Sequence, residues 1–243
     1  MSSLTLVNLL LVVILLAVNC SAATDAGASD VHALLFSTCS TDTAAEPFAT
    51  DLGELMSLLI REAPAIGFGL GSVGKAHGLA MCRADIKSSI CMACIHAANG
   101  HLLRRCPSKK EATTWLDHCL VRYSDTQFFG EISDGKKFLA MSNGNSSKAS
   151  VLDSKVEEIM ETLVSRAYLT PLLFATAEVE VEGEGGLFGL VQCTRDLSGG
   201  DCKRCLASAM EELPRCCRGK KGGRVVGKNC NLRYEMYPFY DSS

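Results

Sequence analysis

Cys82-Arg-Ala-Asp-Ile-Lys-Ser-Ser-Ile-Cys91-Met-Ala-Cys94 and Cys193-Thr-Arg-Asp-Leu-Ser-Gly-Gly-Asp-Cys202-Lys-Arg-Cys205 decide the fold. Both read C-x8-C-x2-C, and the second begins 111 residues after the first. Followed outward, Cys106 and Cys119 match Cys217 and Cys230 at the same offset, giving C-x8-C-x2-C-x11-C-x12-C twice. Five cysteines repeated in one register mark a tandem duplication of a single module.

The start of the chain sets the redox context. Leu4 to Val18 is apolar apart from Thr5 and Asn8, and Ser21-Ala22-Ala23 follows. An apolar run ending in small residues reads as a secretory signal peptide over residues 1–23, although no Lys or Arg precedes it. The run is short for a membrane span of ~20 residues. The tail Tyr237-Pro-Phe-Tyr-Asp-Ser-Ser243 is too polar for a lipid-anchor signal, so no integral span is expected. The expected product is secreted and extracellular, where disulfides persist. Removing Cys20 with the leader leaves twelve cysteines, six per half, which read as a disulfide framework. A formal net charge of −3 gives no reason to expect a nucleic-acid partner.

Each half reads as α+β. In the first, Val31 to Phe36 is an expected strand, and Asp51 an expected cap for a helix with Leu52, Leu55, Met56, Leu59 and Ile60 on one stripe. Gly67 to Gly78 reads as loop or strand edge, Ser89 to Leu102 as a second helix, and Leu120 to Tyr123 as a strand. In the second half Phe128 to Ile132, Lys137 to Met141 and Leu187 to Gln192 read as strands, with a helix through Val156, Ile159, Met160, Leu163 and Val164. Asp201 is the expected cap of a helix from Cys202 to Leu213, and Arg224 to Val226 pairs with Leu232 to Met236. The boundary near Ser124 to Gln127 is short, so the two sheets are expected to pack together.

C-x2-C is also how structural zinc sites begin. The further cysteine nine residues ahead of it in both copies fits a helix-anchoring disulfide pair better, and no metal or cofactor is expected. His77, His96, His101 and His118 form no repeating set with a serine, carboxylate or thiol, so no catalytic constellation emerges and no enzyme is expected.

The C-x8-C-x2-C core, with Gly-Leu-Val-Gln-Cys-Thr-Arg-Asp-Leu-Ser at its start and Leu-Arg-Tyr-Glu-Met-Tyr-Pro-Phe near the end, resembles the stress-antifungal domain. This domain, also called DUF26 or ginkbilobin-2-like, occurs in cysteine-rich receptor-like kinases and plasmodesmata-located proteins. Two copies behind a signal peptide, without a span or kinase, are similar to the cysteine-rich repeat secretory proteins. The resemblance implies an α+β fold of two tandem modules over residues 24–125 and 126–243, each with two helices packed on a five-stranded antiparallel sheet and stapled by disulfides. It implies Cys39–Cys106, Cys82–Cys91 and Cys94–Cys119 in the first module, and Cys193–Cys202 and Cys205–Cys230 in the second. There the pattern breaks, because no cysteine matches Cys39 while Cys216 is added beside Cys217. A vicinal Cys216–Cys217 bridge is the simplest pairing, with two free thiols or an intermolecular bridge as the competing reading.

The family's founder binds mannose through an Asn just after the first cysteine, an Arg six residues before the last and a Glu five after it. An amide, a carboxylate and a guanidinium together serve paired sugar hydroxyls. Module one has Ser40, Thr113 and Ser124 at these positions, so its site is expected to be dead. Module two keeps Arg224 and Glu235. Aligning Leu55-Met56 on Ile159-Met160 gives an offset of 104, which puts the equivalent of Cys39 near Ser142 or Asn143 and nominates Asn143 as the third sugar ligand. A cross-strand ion pair and a turn asparagine are the plain alternatives.

Asn145-Ser-Ser147 is a glycosylation sequon close enough to Asn143 to obstruct such a site. Arg215, Arg218, Lys220, Lys221, Arg224 and Lys228 read as a solvated basic hairpin, Glu178 to Glu184 as an exposed edge strand or loop, and Trp115 as a packing residue. Two functions compete. One is an apoplastic defence lectin for mannose-type glycans or cell-wall polysaccharide; the other is an interaction module for an extracellular protein or receptor partner.

Overall fold

The computed structural model describes residues 33–241 except 134 and 136; the expected signal peptide lies outside them. Module one runs β1 (Leu34–Cys39), α1 (Glu46–Ile66), β2 (Phe68–Val73), β3 (Ala76–Cys82), α2 (Ser88–Arg105), β4 (Glu111–Leu116) and β5 (Cys119–Ser124). Module two repeats the order as β6 (Phe138–Met141), α3 (Ala149–Ala167), β7 (Phe174–Val181), β8 (Gly185–Cys193), α4 (Gly199–Cys217), β9 (Gly222–Val226) and β10 (Cys230–Glu235). The sheets are antiparallel and five-stranded, in the orders β1-β4-β5-β3-β2 and β6-β9-β10-β8-β7. The α+β architecture of two helices on each five-stranded sheet is therefore present twice.

Apolar periodicity places the helices, and local chemistry moves their ends. The stripe Leu52, Leu55, Met56, Leu59 and Ala63 buries α1 on the first sheet, and Leu152, Val156, Met160 and Leu163 do the same for α3. Pro47 lies in the first turn of α1, where its missing N–H costs nothing, so the helix begins ahead of Asp51. Asp51 is not its cap; the carboxylate instead accepts from the Lys75 backbone N–H at 2.9 Å. Likewise Ser198 caps α4, its Oγ accepting from the Asp201 N–H at 3.1 Å, while Asp201 supplies the first-turn acid. Gly78 and its counterpart Gly189 lie where the helices press on the sheets. A Cβ would stand 2.9 Å from Leu55 at the first and 2.8 Å from Leu163 at the second.

Phe128 to Ile132 forms no strand. Phe128 is drawn instead into a third core between the modules, with Leu79, Met81, Trp115, Leu120 and Val226. These residues occupy the sheet faces opposite the helices, since Ala80, Val121 and Val225, their strand neighbours, belong to the helix-side cores. The sheets thus pack face to face. Trp115 is 3% exposed, and its Nε1–H donates to Gly227 O of the other module at 2.8 Å. Gln192 Nε2 donates to Cys82 O across the same join at 3.0 Å.

Candidate functional site

The polar residues singled out in β9 and β10 lie on this inter-sheet face. Arg224 pairs across the ladder with Arg233, and Glu235 with Gly222, so all three side chains share one side of the sheet. Arg224 is 5% exposed and donates to Asp117 Oδ1 in the β4–β5 turn of module one. Arg233 lies 3.3 Å from the same Asp117 oxygen and 3.0 Å from Glu235 Oε1. Arg83 joins from 3.7 Å and is itself held by Asp85 at 2.6 and 2.8 Å. Arg224 and Glu235 are brought onto one face, with Arg224 bound to the neighbouring module.

Four titratable groups are shifted by this setting. Burial pulls the Arg224 guanidinium down to about 10, opposed by Asp117. Burial pushes Asp117 upward, but Arg224 and Arg233 outweigh it and hold the carboxyl below its ordinary value. Burial raises Glu235 against the pull of Arg233. His118, beside Asp117, is held below its usual value by burial and by Arg83.

The ladder also fixes the counterpart of Cys39. Cys39 stands opposite Ala112 and Thr38 opposite Thr113; Met141 stands opposite Gly223 and Ala140 opposite Arg224. The Ser142 N–H donates to Gly222 O at 2.9 Å, as the Ser40 N–H donates to Glu111 O at 2.8 Å. Met141 therefore replaces Cys39, and Ser142 holds the position after it. Asn143 falls one residue further on, exposed in the loop before α3. The helix alignment misplaced it because the chain from Met141 to the stripe of α3 is two residues longer than the chain from Cys39 to the stripe of α1.

Among the described residues six disulfides are present: Cys39–Cys106, Cys82–Cys91, Cys94–Cys119, Cys193–Cys202, Cys205–Cys230 and Cys216–Cys217. Cys217 Sγ lies 3.5 Å from Ala140 O, the relation that Cys106 Sγ has to Thr38 O at 3.8 Å. The Cys217 side chain still faces β6, but Met141, a thioether, offers it no thiol to bridge. Among the described residues, no cluster of His, Cys, Asp and Glu is arranged to hold a metal ion.

The basic stretch is more engaged than a solvated hairpin. Lys228 Nζ reaches Glu111 of module one at 2.6 Å, and Arg122 approaches that carboxylate at 3.6 Å. Lys221 Nζ pairs with Glu184 at 3.3 Å. Lys220 Nζ donates to Asn145 Oδ1 at 2.8 Å, leaving the sequon side chain exposed. Glu184 also accepts from the Ser147 and Ser146 hydroxyls at the start of α3, and these bonds lower it to about 2. Glu178 and Glu180 stand exposed on β7, at the edge of the sheet.

Sequence reasoning missed Asp117, which lies 107 positions from Arg224 in an ordinary turn. The signal that could have found it is internal: the aligned position in module two is Lys228, an opposite charge at an otherwise repeated site.

A family model described as salt stress response/antifungal matches residues 37–126 and again 140–237. An antimicrobial ginkbilobin-2-like protein of Castanea crenata is 45% identical over 82% of this chain and 85% of its own length. Cysteine-rich repeat secretory protein 38 of Arabidopsis thaliana is 42% identical over 87% of each chain. The crystal structure of the tandem DUF26 ectodomain of Arabidopsis thaliana PDLP8 superposes with a TM-score of 0.72 at 24% identity, covering 85% of this chain and 100% of that one. With the fold, the duplicated cysteines and these likenesses in agreement, the chain belongs to the salt stress response/antifungal (DUF26) family and carries its domain twice.

Proposed function

We propose that this chain is a secreted, non-enzymatic recognition protein of plant defence or stress responses. In this reading it acts in the apoplast by binding an extracellular protein partner, with its two modules locked into one unit. Asp117 is the observation that carries it. That carboxylate occupies Arg224, the cation a mannose-type site would need, and places it in the join between modules. Kinship with secretory proteins and with the receptor-like protein kinase 25 of Arabidopsis thaliana, 34% identical over 70% of this chain, supports the extracellular setting. The antimicrobial relative supports a role in defence. Asn145 is exposed and is proposed as the glycan acceptor.

A second reading keeps carbohydrate binding in module two, with mannose-type glycans or cell-wall polysaccharide held by Asn143, Arg224 and Glu235. It is favoured by the shared face of Arg224 and Glu235, and by Arg224 Nε and Asn231 Oδ1, which have no partner among the described residues. It requires Asp117 to withdraw and Asn143 to reach past the position of Ser142.

Immobilised mannan decides between them, using oxidised, deglycosylated protein with Arg224→Ala and Asp117→Ala alongside. The partner-binding reading expects no mannose-competable binding by the wild type. Competable binding that Arg224→Ala abolishes would overturn it and establish the lectin. If Asp117→Ala alone binds, the sugar face is competent but closed by module one.

A further inference from the structure

The helix side of module two differs from that of module one where neither the fold nor the disulfides require it. Asp153, Glu157 and Glu161 recur at every fourth residue of α3, beside a row of Val156, Met160 and Val164 with the same spacing. Positions four apart share one helix face, so an acidic ridge runs beside a buried apolar row. Both rows line a groove of about 700 Å³ between α3 and α4, floored from α4 by Met210 and Leu213 and edged by Glu211.

Glu157, Glu161 and Glu211 are exposed and pair with no cation among the described residues. Their neighbours outside the groove are paired, Glu158 with Lys155 at 2.7 Å and Glu212 with Arg215 at 3.1 Å. Two cations, Lys203 and Arg218, also border the groove, and Lys203 lies over the Tyr168 ring at 5.1 Å. Asp153 has a structural role, accepting from the Gly219 N–H at 2.7 Å, but stability does not account for Glu157 and Glu161 of the ridge, because like charges four apart weaken a helix. Module one shows the helix without it: at the helix offset of 104 residues α1 carries Ala49, Gly53 and Ser57. Asn99 and Gly100 of α2 stand where Met210 and Glu211 stand in α4.

We propose that this groove docks a basic amphipathic helix of an extracellular protein partner. An apolar floor flanked by unpaired carboxylates complements a helix whose apolar stripe is flanked by Lys and Arg. Asp153 to Val164 runs roughly 17 Å at 1.5 Å per residue, which seats about three turns of such a helix. The inference rests on the partner-binding reading and names the surface and chemistry of that partner.

The test titrates the oxidised protein into a labelled synthetic Leu/Lys amphipathic helix of about 15 residues, with a Leu/Glu peptide as counterpart. Glu157→Lys/Glu161→Lys reverses the ridge, and Glu178→Lys/Glu180→Lys makes the same change in net charge on β7. The Leu/Lys peptide is expected to bind and the Leu/Glu peptide not to. Reversing the ridge should weaken binding about tenfold and the β7 reversal about twofold or less. Absence of Leu/Lys binding, or equal weakening by both reversals, overturns the proposal, the latter because bulk charge alone would then explain it. Met210→Ser probes the floor without altering charge, and an unchanged affinity there also counts against docking. The sugar face takes no part in this titration, so its failure leaves the partner-binding reading to be judged on mannan.

Discussion

Modules one and two share a ladder, a topology and five cysteines, yet they are held together and used differently. In module one Cys39–Cys106 ties β1 to the end of α2 across 67 residues of chain. In module two the corresponding strand carries Met141, and the leftover Cys217 bridges its immediate neighbour. A bridge between adjacent residues closes no loop of chain and so removes little freedom from the unfolded state. Module two relies instead on the ladder of β6 with β9 and on Glu184 at the start of α3. The teaching is that a cysteine can stay buried and correctly aimed after its structural purpose has moved elsewhere.

The join offers the largest test of the difference. Trp115→Ala should cost about 3–5 kcal/mol, whereas Val226→Ala, at the aligned position of module two, should cost about 2. Urea unfolding followed by circular dichroism measures both, and equal losses would mean that the two sheets contribute alike. Next come the bridges. Cys39→Ser/Cys106→Ser should cost about 4 kcal/mol, and Cys216→Ala/Cys217→Ala no more than about 1. The same unfolding curves report these values, and a loss from the vicinal pair as large as from the long one would break the comparison.

Acid titration sharpens it further, because Asp117 and His118 are replaced by Lys228 and Asn229 in module two. Burial and Arg83 depress His118, so the unfolded chain takes up that proton first and stability begins to fall below about pH 6.5. Asp117, depressed by Arg224 and Arg233 despite its burial, contributes stability above about pH 4 that is lost as the pH falls further. Thermal unfolding across pH should show both limbs, and Asp117→Asn should remove only the lower. The smallest effect lies at the helix starts. Ser198 caps α4 while Lys87 leaves α2 without a side-chain cap. Ser198→Ala should therefore cost about 1 kcal/mol, and Lys87→Ser should return a similar or smaller gain.

The repeat and the helix stripes were legible because cysteine spacing and apolar periodicity are local signals. The strand Phe128 to Ile132 was misread for the opposite reason. Its apolar residues satisfy a core supplied by two other strands, with Arg122 stacked over Phe128 at 3.9 Å, and nothing nearby in sequence records that. Asp51 and Asp201 both looked like caps, since any acid ahead of an apolar run does; Pro47 and Ser198 decided the matter. At the candidate site, Arg224 and Glu235 could be placed on neighbouring strands by counting from Cys230. Asn143 could not, because Met141 in place of the marker cysteine leaves the count without an origin, and two extra residues between that position and the helix stripe shift the alternative ruler.

Burying Trp115 against Gly227 makes each half depend on the other for its cover. A chain cut to either module alone would expose Leu79, Met81 and Leu120, or Val226, to solvent. Neither half is therefore a self-contained object: each is the solvent shield of the other.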